Sequence, residues 1–300
     1  MATIVGCAAM SHAPQLLTPP EEWLAMPART KLQLFNDRNL DAELTIEARR
    51  EKYDRCHKAI GVLADQIKAW SPDILIVVGD DQHENFFDDN MPAFAVYMAD
   101  SVLVTRKMRN TGQSALDQAV SYPVSESYAK RLLDGLFDAN FDPAWSKATR
   151  FEAGLGHAFG RALYLLSTVI YPMIPLMVNT YYPPAPSARR CYQFGQTIRG
   201  IVASWPEDVK VAVLASGGLS HTRVDEAFDA RFIKALETHD AKYLSSLPAD
   251  DLLEGTSEVR NWIIAAGIAG TKAKLVDYVA CYRSAEGVGC GMGFAIWPAA

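Results

Sequence analysis

Cysteine is scarce in this 300-residue chain: the five, at positions 7, 56, 191, 281 and 290, include no CxxC pair. That excludes a dense disulfide framework and the common structural zinc modules. The five read as buried thiols, and a cytoplasmic setting is the expectation. No apolar run approaches the roughly 20 residues of a bilayer span. The opening MATIVGCAAM also lacks the basic segment of a secretory leader, so no membrane partner is expected. Basic runs are missing too: 29 Lys and Arg stand against 35 Asp and Glu, for a formal charge of −6, which argues against a nucleic-acid partner. No internal repeat, low-complexity tract or long linker interrupts the chain. The glycine-rich CYRSAEGVGCGMGFAIW lacks the Lys-Ser/Thr pair and following helix of a phosphate loop. Histidine is limited to six residues, few enough to weigh one by one.

With 49% of residues apolar and 21% charged, a large core is affordable and disorder is excluded. Short apolar, β-branched runs alternate with longer helical patterns, which predicts an α/β fold. The strand candidates are TIVGCAA, ILIVVGD, AFAVYMA, IPLMVNT, VKVAVLASG and MGFAIW. Several are apolar on both faces, as a covered parallel sheet requires. Helices are expected near 41–70, 122–137, 155–169, 188–204, 225–246 and 258–268, and long loops over 13–40 and 100–121. The expectation is one domain, 1–300: a mostly parallel central sheet with helices on both faces and an active site at the carboxyl ends of the strands.

His57 and His239 sit within or at the end of helical patterns and read as ordinary surface residues. His12, His83 and His221 each stand just past an apolar strand, and His157 opens a helix. A single histidine at a wet strand end says little. Three at one edge, with acids beside them, point to a built site in the crevice where open α/β sheets bind ligands. Imidazole with carboxylate suggests a divalent metal, and two nitrogens with one carboxylate suit iron(II) and dioxygen. Glu258, in GTSEVRNW, is the candidate carboxylate, or else an acid favoured by a helix N-terminus. The two glycines of ASGGLSH let the backbone turn sharply and deliver His221. In NTYYPPAPSARR, Asn179, Tyr181, Tyr182 and Arg189 either bind an aromatic acid or form a rigid loop and a solvated helix face.

The motifs SHAPQL, GDDQ-x-x-NF followed by MPAF, NTYYPP, ASGGLSH and GTSEVRNW occur in the order seen in class III (LigB-type) extradiol ring-cleaving dioxygenases. The chain resembles that family, in its protocatechuate 4,5-dioxygenase branch, from residue 4 to about 295. The resemblance implies a non-haem iron(II), with manganese(II) or another divalent metal as the alternative, held in part by His12 and Glu258. It implies His221 as the catalytic histidine and His157 as a second one acting as an acid. The implied partners are dioxygen and a carboxylated catechol, in a homo-oligomer or with a small lid subunit. The family's remaining ligand is a histidine four positions before a phenylalanine. Aligned on Phe86, that position is Gln82, and His83 falls one residue late. Three readings stay open: Gln82 ligates through its amide oxygen, a local bulge brings His83 in, or iron binding is lost. The last would leave non-oxidative metal chemistry or a non-catalytic partner subunit. Asp80 and Asp81 read as partners that orient the ligands, or as the wet end of the strand.

Overall fold

Strand periodicity sets the layers. A computed structural model describes residues 1–26, 39–167 and 170–299. The chain begins with β1 (Thr3–Met10), then passes through α1 (Ile46–Trp70) to β2 (Ile74–Asp80) and β3 (Phe94–Tyr97). A hairpin of β4 (Ser101–Thr105) and β5 (Ala119–Pro123) encloses the one-turn α2 (Gln113–Leu116). Next come α3 (Glu126–Asp138), β6 (Ala144–Ser146), α4 (His157–Leu166) and β7 (Met173–Val178). After them run α5 (Ala188–Ala203), β8 (Lys210–Ser216) and the short β9 (His221–Arg223). Helices α6 (Glu226–Thr238), α7 (Ala241–Ser246) and α8 (Val259–Ala269) precede the closing ribbon of β10 (Lys274–Tyr282) and β11 (Val288–Pro298).

The main sheet runs β10-β11-β1-β8-β2-β7-β3-β6, with β9 paired to β11. Its centre, β1-β8-β2-β7, is parallel, whereas β11 and β3 pair antiparallel with the strands at its two margins. The expected parallel sheet is thus present at the centre of a mixed one. Along β2, Ile74, Ile76 and Val78 enter one core while Leu75 and Val77 enter another. Both faces of the strand are therefore covered, and its unbroken apolar run needs no polar alternation. On α1, buried Cys56, Ala59, Ile60, Leu63, Ala64 and Ile67 form one helical stripe. Thr45 caps its start by accepting from the Ala48 N–H.

Some boundaries depart from the expectation. The expected loop 100–121 contains β4, α2 and the start of β5, because Val102 and Val104 alternate with more exposed neighbours and bury their side chains. Strand β10 was not expected: Lys274 and Asp277 break its apolar run, which an edge strand tolerates. The expected helix 225–246 is two helices. His239 takes a left-handed conformation, and Asp240 caps α7 by accepting from the Tyr243 N–H. Of the expected loop 13–40, residues 27–38 lie outside the described residues, as do 168–169 of the expected helix 155–169. No helix among the described residues is long and apolar enough to cross a membrane.

Helices α5 and α8 touch backbone to backbone. A Cβ on Gly195 would lie 2.2 Å from the Ile264 carbonyl oxygen, and one on Gly267 2.4 Å from that of Tyr192. Helix propensity alone would make Gly195→Ala more stable by about 1 kcal/mol. The close crossing reverses the sign, and overpacking of this kind costs about 1–3 kcal/mol. Thermal unfolding of Gly195→Ala is expected to show that loss; a variant as stable as the parent would contradict the crossing.

Candidate metal centre and substrate cavity

The parallel strands all end at one edge, and their last residues converge there. β1 leads into Ser11 and His12, β2 ends on Asp80, and β8 ends on Ser216, followed by Gly217 and Gly218. Glu258 joins them from the turn that opens α8. Ligand atoms of His12, Asp80 and Glu258 all lie within 4.8 Å of one another, and the three side chains are buried.

Each is held by its neighbours. The Ser216 hydroxyl donates to the Ala158 carbonyl, so its oxygen is left to accept from His12 Nδ1, 2.9 Å away. That assigns the His12 proton to Nδ1 and leaves the Nε2 lone pair 3.8 Å from Glu258 Oε2, the arrangement of a metal-ligating imidazole. Glu258 Oε2 accepts from the Gly218 N–H at 2.6 Å. The first turn of α8 is pinned to the same loop: Asn261 Nδ2 donates to the Ser216 carbonyl at 2.8 Å, and Trp262 Nε1 to that of Gly217 at 2.9 Å. Buried Arg260 donates to the carbonyls of Thr180, Pro186, Leu252 and Ser257, tying the loop after β7 to this turn.

Burial first, and then the neighbouring Arg161 and His221, hold His12 well below the usual imidazole range. Burial, then the Glu258 carboxylate, pushes Asp80 far above the usual carboxylate range. A neutral imidazole beside two crowded, desolvated carboxylates is a donor set that a divalent cation would neutralise.

The stretch Asp80–Phe86 divides its side chains among separate tasks. Asp80 faces the cluster. Asp81 turns back and accepts from the N–H groups of Glu84, Asn85 and Phe86, closing the turn. Gln82 donates from Nε2 to Asp80 Oδ2 at 2.9 Å and to Glu258 Oε1 at 3.0 Å. His83 is not brought into the cluster. Its φ of 55° turns it outward, where its ring stacks on Tyr182 at 3.7 Å and on Phe87 at 5.3 Å. Glu84 accepts from both the backbone N–H and Nδ1 of His157, at 3.1 and 3.0 Å.

A cavity of about 320 Å³ lies over the cluster, lined by His12, Gln82, His157, His221 and Glu258 and by Tyr181, Met26 and Met108. His221 has Nδ1 3.3 Å from the Leu219 carbonyl and Nε2 3.4 Å from Glu258 Oε1. Just before it, Ser220 is clamped by buried Asp229, which accepts from the Ser220 N–H and hydroxyl and from Tyr278. Asn179 knots the loop after β7, bonding the Tyr182 N–H and the Tyr182 and Pro184 carbonyls. Arg189 is exposed on α5 and does not line the cavity; Arg161 and Arg283 do. Sequence reading missed these two arginines, Glu84, and the placement of Asp80 within the cluster. The one available signal was HAFGR, which puts His157 and Arg161 a helical turn apart on one face.

A family model described as the catalytic LigB subunit of aromatic ring-opening dioxygenase matches residues 44–293. The chain belongs to the LigB family. Among its relatives, a 2,3-dihydroxyphenylpropionate/2,3-dihydroxicinnamic acid 1,2-dioxygenase of Photorhabdus laumondii is 32% identical over 161 residues, 53% of this chain and 46% of that protein. A gallate dioxygenase of Pseudomonas putida is 36% identical over 107 residues, 32% of this chain and 31% of that protein. The matches thus span about half or less of these relatives. Within the LigB match lie Asp80, Gln82, His157, His221 and Glu258, whereas His12 precedes it.

Burial pushes Asp229 up to about 6, against about 3.9 for an unfolded aspartate. The native state keeps a proton that the unfolded chain releases in this interval. The associated stability, about 3 kcal/mol, is therefore full below about pH 4 and lost as pH rises through about 6. Asp229→Asn is expected to flatten this part of the stability–pH curve in urea unfolding; an unchanged slope would contradict it.

Proposed function

We propose that the chain is a metal-dependent extradiol dioxygenase that opens the ring of a carboxylated catechol. The observation that carries this reading is the convergence of His12, Asp80 and Glu258 beneath a cavity that His157 and His221 also line, in a chain of the LigB family. The three residues would hold an iron(II), which when bound supplies positions where catechol and dioxygen meet.

The chain's own residues do the rest. Donation from His221 Nδ1 to the Leu219 carbonyl leaves Nε2 as the proton acceptor for a catechol hydroxyl. Glu84 accepts a hydrogen bond from His157 Nδ1, fixing that ring so that its other nitrogen can hold or return a proton. Arg161 and Arg283 add positive potential to the cavity wall, which favours a ring bearing a carboxylate. Met26, Met108 and Tyr181 supply apolar surface for the ring itself.

One imidazole against two carboxylates is a harder donor set than two imidazoles and one carboxylate. It favours manganese(II) or magnesium more than the usual iron site does. That observation supports a second reading, non-oxidative metal-assisted chemistry in the same cavity.

Oxygen uptake by protein reconstituted anaerobically with iron(II), then given a panel of catecholic acids, separates the two. Uptake matched by a yellow ring-opened product is the expected outcome; tightly bound metal with no uptake would favour the second reading. His221→Phe is expected to lower kcat by about 10²- to 10⁴-fold with metal content unchanged, and full activity would remove it from the mechanism. Asp80→Asn is expected to raise the melting temperature of the metal-free protein, by relieving the carboxylate crowding, and to abolish the further rise on adding metal. If that rise persists, Asp80 is not a ligand.

A further inference from the structure

Gln82 bridges the two carboxylates that a cation would share. Both hydrogens of its amide nitrogen are used, one on Asp80 Oδ2 at 2.9 Å and one on Glu258 Oε1 at 3.0 Å. The second oxygen of Glu258 is already held by the Gly218 N–H, and Asn261 Nδ2 lies 3.5 Å from that of Asp80. The inner oxygens are thus bridged by Gln82. An NH₂ group presents positive charge and cannot keep facing a cation bound to those same oxygens. Its position is nonetheless that of a ligand. In an octahedral site with bonds of about 2.1 Å, neighbouring donor atoms stand about 3.0 Å apart, the spacing that the Gln82 nitrogen keeps from both carboxylates.

We propose that Gln82 is a fourth donor residue of the cation site, exchanging its amide nitrogen for its amide oxygen when a divalent cation enters, and that it biases the site toward six-coordinate, oxygen-preferring ions. In the metal-free protein the same amide holds β2 and the start of α8 together. This rests on the metal reading of the cluster and is independent of ring cleavage.

Equilibrium binding tests it without any turnover. Manganese(II) is titrated into the protein, with free ion followed by its electron paramagnetic resonance signal, and zinc(II) is measured by competition with a chromophoric chelator. Gln82→Leu removes the oxygen donor and is expected to weaken manganese(II) binding at least about 10-fold. Zinc, satisfied by His12, Asp80, Glu258 and one water, is expected to change by less than about 3-fold. Gln82→Glu keeps an oxygen donor but loses the N–H bridge. It is expected to bind manganese(II) at least as tightly as the parent while melting at a lower temperature without metal. Should Gln82→Leu bind manganese(II) as tightly as the parent, or more tightly, Gln82 is only a plug and the proposal fails. It also fails if the parent binds no manganese(II), or if Gln82→Glu loses binding. Normal metal binding with no oxygen consumption would leave this proposal standing and remove the dioxygenase reading.

Discussion

Two carboxylates are held side by side in a place that water scarcely reaches. Asp80 ends a central strand buried on both faces, and Glu258 opens a helix whose first turn is bonded to the loop after another central strand. Neither can retreat from the other without breaking backbone-anchored bonds, and burial removes the solvent that would screen them. The surrounding structure answers that crowding: a neutral imidazole, the Gln82 amide, the Gly218 N–H and the His221 ring all address the same pair. The glycine-mediated contact of α8 with α5 belongs to this arrangement, since it fixes the helix that carries Glu258.

The order of the central strands' segments was legible because their apolar runs are long and double-sided. ILIVVGD in particular coincides with β2 from end to end. What escaped was structure at the edges, where β10 mixes charge with apolar residues and β4–β5 lies apart from the main sheet. At such margins one face meets water, so hydrophobic pattern carries less of the decision than pairing does.

The site was legible in residue type and less so in direction. Which way each side chain of GDDQHENF turns depends on a turn that Asp81 closes and on a positive φ at His83. Neither is encoded in the spacing of ligands. Spacing from Phe86 singled out Gln82, which does reach the cluster, but through its nitrogen; His83 stacks outside on Tyr182. Asp80 reads from the sequence as a group that orients the ligands or as the wet end of the strand, yet a strand's last residue can also point across its own end into the cluster. Arg189 and Arg161 illustrate the same limit: both sit on helices, and only the packing of α4 against the sheet decides which one lines the cavity.

The place of β1 in the sheet ties the beginning of the chain to its interior. β1 lies between β11 and β8 and delivers His12 two residues beyond its end. Yet it precedes the region matched by the family model. A fragment trimmed to that region would lose one imidazole and also the strand that, among the described residues, joins the β10–β11 ribbon to the parallel centre. Chemistry and architecture are inseparable at this point. The segment left outside the family match is the keystone across which the two halves of the sheet hold together.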